Sequence, residues 1–200
     1  MFDSALRRRI DPAIAYIARV ASKAGCSANM LTIAGAIIAI GLGAALAQGQ
    51  FALALAMIAI NRILDGVDGA VARINGATAF GGYLDSLADY VFYIAVPLGF
   101  ALADPAHMQP AIILLASFIL TAVSFLAYAA IAAKSGISET AHGPKAFLYS
   151  FGLIEGGETI FAFAMMVIWP GYFGIIAYIL AALCVVTVAQ RLLMASRILR

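Results

Sequence analysis

Four aspartates, Asp65, Asp68, Asp85 and Asp89, lie close together in a chain whose residues are 64% hydrophobic and only 11% charged. Arg62, Asp65 and Asp68 are spaced by three, so on a helix they share one face. Asp85 and Asp89 are spaced by four and share another. Ionisable residues inside apolar segments are costly and mark functional sites. Bare carboxylates crowded in a low-dielectric pocket would repel one another. Hard divalent cations resolve this: Mg²⁺ or Mn²⁺ takes oxygen ligands and keeps positions for water and phosphate. Two such ions could clamp a diphosphate and stabilise both the attacking and the leaving oxygen.

The residues around the aspartates fit a phosphate-bearing ligand. Gly66, Gly69 and Gly82, with Ala70 and Ala72, remove side-chain bulk near the carboxylates, so backbone can approach a flat, bulky ligand. Helix packing in lipid asks for the same small residues. Gly66 fits either role, whereas Gly69 and Gly82 are read as ligand-facing. Arg73 offers a rigid positive fork for phosphate. Further ionisable residues, Glu155, Glu158 and Arg191, fall in later apolar stretches.

The elements that must position these groups are membrane spans. A soluble protein has roughly twice this charged fraction, and a span needs about 20 mainly apolar residues. Six candidates run near 28–48, 51–72, 81–103, 110–133, 147–169 and 171–195. Ahead of them, Ile10, Ile14, Ile17, Ala18 and Ala21 share a face from which Arg7, Arg8, Arg9, Arg19 and Lys23 are excluded, the pattern of an interfacial helix on an anionic leaflet. Ser27 or Asn29 can cap the first span. The expected architecture is an all-α integral membrane protein. It has a juxtamembrane amphipathic helix over 1–26 and a six-helix transmembrane catalytic domain over 27–200. No secretory signal precedes the first span, and no soluble domain is expected. Cys26 and Cys184 lack a CxxC partner and read as small apolar residues. Nothing in the composition points to a nucleic-acid partner.

Basic residues orient the spans. Six alternating spans put the N-terminal cluster, Arg73, Lys134, Lys145, Arg191, Arg197 and Arg200 on one side, which the positive-inside rule makes the cytoplasm. Both termini are then cytoplasmic. Asp65, Asp89, Glu155 and Arg191 fall about 12 Å from the cytoplasmic ends of their helices, which places polar groups at one level, in a cavity opening to that side.

The stretch Asp65-Gly-Val-Asp68-Gly-Ala-Val-Ala-Arg73, followed after eight residues by Gly82-Tyr-Leu-Asp85-Ser-Leu-Ala-Asp89, resembles the signature of the CDP-alcohol phosphotransferase family. Asn29-Met-Leu-Thr32 at the start of the first span and the number of spans also resemble its bacterial members. The resemblance implies transfer of a phosphatidyl group from CDP-diacylglycerol to an acceptor alcohol, with release of CMP, at a bacterial-type inner membrane. It further implies Asp65, Asp68, Asp85 and Asp89 as ligands of two Mg²⁺ or Mn²⁺ ions and Asp89 as general base. Gly69, Ala72, Arg73 and Gly82 would line the CDP site, and the protein would be a homodimer among membrane lipids. The acceptor stays open: Arg62, Lys134, Glu155, Glu158 and Arg191 are candidate contacts, Lys145 lies further out, and a serine, amino-alcohol, polyol or lipid alcohol fits. Three other readings remain. One is a divalent-cation transporter, which would want carboxylates at the midplane. The others are a catalytically silent scaffold and a family member pairing another CDP-alcohol donor with a lipid acceptor.

Overall fold

The computed structural model describes residues 2–134 and 156–198; for residues 2–10 and 198 only the backbone is described. Lys145, Glu155 and the expected start of the fifth span at 147–155 lie outside the described residues. All regular structure among the described residues is helical. The helices are α1 (Phe2–Lys23), α2 (Ala28–Ala47), α3 (Phe51–Asn75), α4 (Ala79–Ala103), α5 (Met108–Lys134), α6 (Gly156–Ile168) and α7 (Phe173–Ile198). Short 3-10 turns at Pro105–His107 and Pro170–Tyr172 precede α5 and α7. Among the described residues, four stretches are long and apolar enough to cross a membrane: Ala28–Ala47, Ala79–Ala103, Pro105–Lys134 and Pro170–Arg197. Exposed apolar side chains such as Ile37, Ile40, Leu102, Ile119 and Leu192 make a surface suited to lipid, since soluble monomers avoid contiguous apolar patches.

The helix ends follow local chemistry. Ser27 Oγ accepts from the Met30 amide at 3.3 Å and Thr78 Oγ1 from the Gly81 amide at 2.9 Å, capping α2 and α4. α1 and α2 each end in a glycine with positive φ, Gly25 and Gly49. The residue after each glycine donates its amide back five residues, Cys26 to Ala21 and Gln50 to Ala45, the 6→1 bond that closes a helix and reverses the chain.

The chain forms two compact units, 1–105 and 106–200. In the first, α2 is the central helix. It packs closely against both α3 and α4, whereas α3 and α4 approach each other's backbones hardly at all. A cleft lies between α3 and α4, and α2 closes its back. The α2–α4 crossing depends on missing side chains. A Cβ on Gly99 would lie 2.7 Å from the Gly43 carbonyl oxygen and 2.7 Å from Leu46 Cβ, and one on Gly43 would lie 3.1 Å from the Ala95 carbonyl oxygen. Such close backbone approach is how helices associate where lipid offers no hydrophobic drive. Phe92, Val96, Phe100, Leu42 and Leu46 are buried in this unit.

α1 docks on α3. Ala18 is fully buried with Val67, Ala70 and Val71, and Ile14 and Ala21 pack beside them. The Ser22 hydroxyl donates to Asn75 Oδ1 at 2.7 Å. Tyr16, Ile17 and Val20 stay exposed. Gly66 serves this docking, since a Cβ there would meet Ile14 Cδ1 at 2.8 Å. In the second unit α5 and α7 pack together and α6 lies on α7, with Leu114, Phe163, Met166 and Phe173 buried.

Replacing Gly99 by valine forces backbone apart at the α2–α4 crossing and should cost about 1–3 kcal/mol. Gly157→Ala, at a position with nothing within 4 Å, should leave stability unchanged. Thermal unfolding of both variants in detergent checks this, and equal melting temperatures would refute it.

Candidate functional site

The cleft between α3 and α4 holds all four aspartates. Together with Thr32, Gly35, Asn61, Arg62 and Ala88 they line one polar cavity backed by α2. α3 contributes Asp65 and Asp68 from one face, and α4 contributes Asp85 and Asp89 from the face opposite, as their spacings require. Asp68 is the innermost and is 5% exposed. Its Oδ2 accepts a hydrogen bond of 2.9 Å from the Thr32 hydroxyl on α2. Asp65 and Asp89 are half-buried, while Asp85 is exposed to the cleft. Arg62 stands between two of them, its Nη1 3.8 Å from Asp65 Oδ2 and 3.4 Å from Asp89 Oδ1.

A larger cavity of about 270 Å³ adjoins this one and shares Thr32, Asp68 and Asp85 with it. Its walls are mostly small residues: Ser27, Ala28 and Asn29 from the start of α2, Gly69 and Ala72 from α3, and Gly81 and Gly82 from α4. Its floor includes Asn75 to Thr78, the α3–α4 turn. Gly76 has φ of +95° there, a backbone conformation that favours glycine. Gly69 and Gly82 border open space: a Cβ on Gly82 would meet nothing within 4 Å, and one on Gly69 only Arg73 Nη1 at 3.5 Å. Arg73 is exposed, and its guanidinium lies beside Gly69.

Four residues escaped the sequence reading as parts of the site. Thr32 and Asn61 are buried polar residues within apolar helices, and a polar residue in an apolar stretch is a signal the sequence itself carries. Asn29 lines the larger cavity. Gly81 lies four residues before Asp85 and so shares its face. A Cβ on Gly81 would sit 3.0 Å from Thr78 Oγ1 and 3.1 Å from Asn29 Oδ1, so this glycine is the closely surrounded one of its pair.

The acceptor candidates divide. Arg62 belongs to the aspartate cavity. Lys134, Glu158 and Arg191 belong to the second unit, where Lys134 and Glu158 are exposed. Arg191 is half-buried: its Nη1 donates to the Thr121 carbonyl at 3.3 Å and to Ser124 Oγ at 3.4 Å, and its guanidinium lies over the Phe125 ring.

The donor set of the cleft is hard oxygen, the chemistry that selects Mg²⁺ or Mn²⁺ over softer metals. Among the described residues no three acidic, histidine or cysteine side chains converge closely enough to hold an ion as they stand. The four aspartates share one cavity, with the Arg62 guanidinium between Asp65 and Asp89. The residues suit divalent cations in the kind of donor they offer.

Comparison with known proteins agrees with this geometry. The chain is 42% identical to the inner membrane protein YnjF of Escherichia coli over 194 residues, 96% of this chain and 93% of that protein. It is 34% identical to the archaetidylinositol phosphate synthase of Methanothermobacter thermautotrophicus over 103 residues, 49% of each chain. Its fold is similar to crystal structures of the phosphatidylinositol phosphate synthase of Mycobacterium tuberculosis. In complex with manganese and citrate, that enzyme matches with a TM-score of 0.71 and 22% identity, covering 90% of this chain and 88% of that one. With CDP-DAG bound, it matches with a TM-score of 0.66 and 23% identity, covering 90% and 92%. Residues 26–190 match the family described as CDP-alcohol phosphatidyltransferase, and the chain belongs to that family.

Proposed function

We propose that the protein transfers the phosphatidyl group of CDP-diacylglycerol to the hydroxyl of an acceptor alcohol and releases CMP, as a step of phospholipid synthesis. The observation that carries this reading is the carboxylate cleft adjoining a cavity walled by small residues, with the Arg73 guanidinium beside Gly69. A structure with CDP-DAG bound in a protein of the same fold supports the choice of donor.

Asp65, Asp68, Asp85 and Asp89 are the residues that would hold Mg²⁺ or Mn²⁺. Bound there, divalent ions would supply Lewis-acid stabilisation of the diphosphate and its departing oxygen. Gly69, Ala72 and Gly82 leave room for the nucleotide, and Arg73 neutralises phosphate at the rim. Thr32 holds Asp68 in one orientation. Asp89 is the general base: it takes the proton of the acceptor hydroxyl as that oxygen bonds to phosphorus and the bond from phosphorus to the CMP oxygen breaks.

In this reading the chain is a six-span protein of a bacterial inner membrane. α3 and the α6 region are the two spans beyond the four that length and hydropathy alone identify. α1 lies at the interface, with Tyr16, Ile17 and Val20 turned to lipid and its opposite side on α3. The basic residues put both termini and the cleft on the cytoplasmic side, where CMP leaves. Residues 1–26 are the juxtamembrane element and 27–200 the catalytic domain, and two copies pair through membrane helices.

Incubation of the purified protein with radiolabelled CDP-diacylglycerol, Mg²⁺ or Mn²⁺ and a panel of acceptor alcohols should release CMP with a restricted set of acceptors. EDTA should abolish the release. No release under any metal and acceptor would overturn the reading. Asp89→Asn should lower the rate by about 10²–10⁴-fold while CDP still binds, the range for losing a general base; an unchanged rate would remove Asp89 from that role. Thr32→Val should weaken Mn²⁺ binding about tenfold through loss of the bond that orients Asp68, whereas Thr32→Ser should restore it. Equal Mn²⁺ affinities in titration would show that Thr32 does not orient the ligand.

A further inference from the structure

Arg62 is the only cationic side chain lining the aspartate cavity among the described residues, and it is held on every side that the structure shows. Its Nε donates to Asn61 Oδ1 at 2.9 Å, and Nη2 donates to the same oxygen. Its Cζ lies 4.0 Å from the centroid of the Phe92 ring, a cation–π contact that gains strength away from water. Its Nη1 faces Asp89 Oδ1 and Asp65 Oδ2. Asn61 is fixed in turn: it is 3% exposed, and its Nδ2 donates to the Gly35 carbonyl of α2 at 2.8 Å. One continuous set of contacts thus runs from α2 through Asn61 and Arg62 on α3 to Asp89 and Phe92 on α4. A guanidinium that captures a substrate phosphate keeps its fork free for bidentate contact. This one spends its donors on its neighbours, and its side chain is only 18% exposed.

We propose that Arg62 is a positioning residue: a fixed internal counter-ion that holds the Asp89 carboxylate in place across the cleft and, by its charge, weakens the hold of the aspartates on divalent cations. The proposal rests on the reading of the aspartates as cation ligands. It excludes Arg62 from the acceptor site. Two effects of opposite sign follow. A positive charge beside the ligands opposes the arrival of a cation, so neutralising it tightens metal binding. The same change releases Asp89 from its orientation, and a misplaced base slows turnover. A residue that bound the acceptor would instead act on acceptor KM alone.

The test compares wild type, Arg62→Gln and Arg62→Lys in lipid nanodiscs, with Mn²⁺ affinity measured from the resonance signal of free Mn²⁺ and steady-state CMP release measured alongside. Arg62→Gln should bind Mn²⁺ about tenfold tighter, by loss of a neighbouring charge, and kcat should fall about 10²-fold. Acceptor KM should stay within about twofold. Arg62→Lys keeps the charge without the planar fork, so its Mn²⁺ affinity should match wild type while kcat stays reduced. A rise in acceptor KM with unchanged Mn²⁺ affinity would overturn the proposal in favour of acceptor binding. Weaker Mn²⁺ binding with a lowered melting temperature would overturn it in favour of a purely structural role. If wild type released no CMP with any acceptor, the transferase reading would fall, while the Mn²⁺ affinities of wild type and Arg62→Gln would still decide the counter-ion proposal.

Discussion

Four negative charges sit side by side within helices whose outer surfaces are apolar, and the first unit is arranged around keeping them there. Lipid cannot solvate a carboxylate, so each must find protein donors, cations or a polar cavity. The helices that carry them, α3 and α4, stay apart, which relieves repulsion and leaves space between the acidic faces. The third helix, α2, supplies what lipid cannot: the Thr32 hydroxyl for Asp68 and the Gly35 carbonyl that anchors Asn61 and, through it, Arg62. The cleft is therefore a three-helix construction even though only two helices carry the aspartates.

Glycine has two separate duties in this unit. Gly43 and Gly99 let α2 and α4 cross with their backbones nearly touching, and Gly66 admits Ile14 of α1. Gly69 and Gly82 face space that a ligand can fill, and Gly81 leaves room for Thr78 and Asn29 at the cavity wall. A small residue is needed in both settings, for packing in one and for access in the other. The first set holds α1, α2, α3 and α4 at fixed distances. The second set depends on that rigidity, because a cavity beside loosely packed helices would not keep its walls.

Family membership and geometry support the same chemistry from different directions. The match over residues 26–190 spans both compact units. The four aspartates and the small-residue cavity belong entirely to the first unit, while Lys134, Glu158 and Arg191 belong to the second. Arg191 already donates to Thr121 and Ser124 within its own unit, as a half-buried guanidinium in an apolar helix must to offset its lost hydration.

The sequence alone determined the helical class, the membrane-like surface, the reaction type and the identity of the four aspartates. Those properties are carried by composition, by periods of three and four along a helix, and by a motif written in consecutive residues. The cap of the first span was legible, as Ser27 or Asn29, for the same local reason. The tertiary structure decided that α2 backs the cleft, that Thr32 and Asn61 hold the charged residues, that Gly66 serves packing while Gly81 crowds the cavity wall, and that Arg62 is bound to Asp65 and Asp89. Each of these joins residues from different helices, as Thr32 joins Asp68 and Gly35 joins Asn61. Periodicity gives the face of a residue but not the helix that face will meet. That choice was made by backbone approach at glycines, which no spacing within a single helix records.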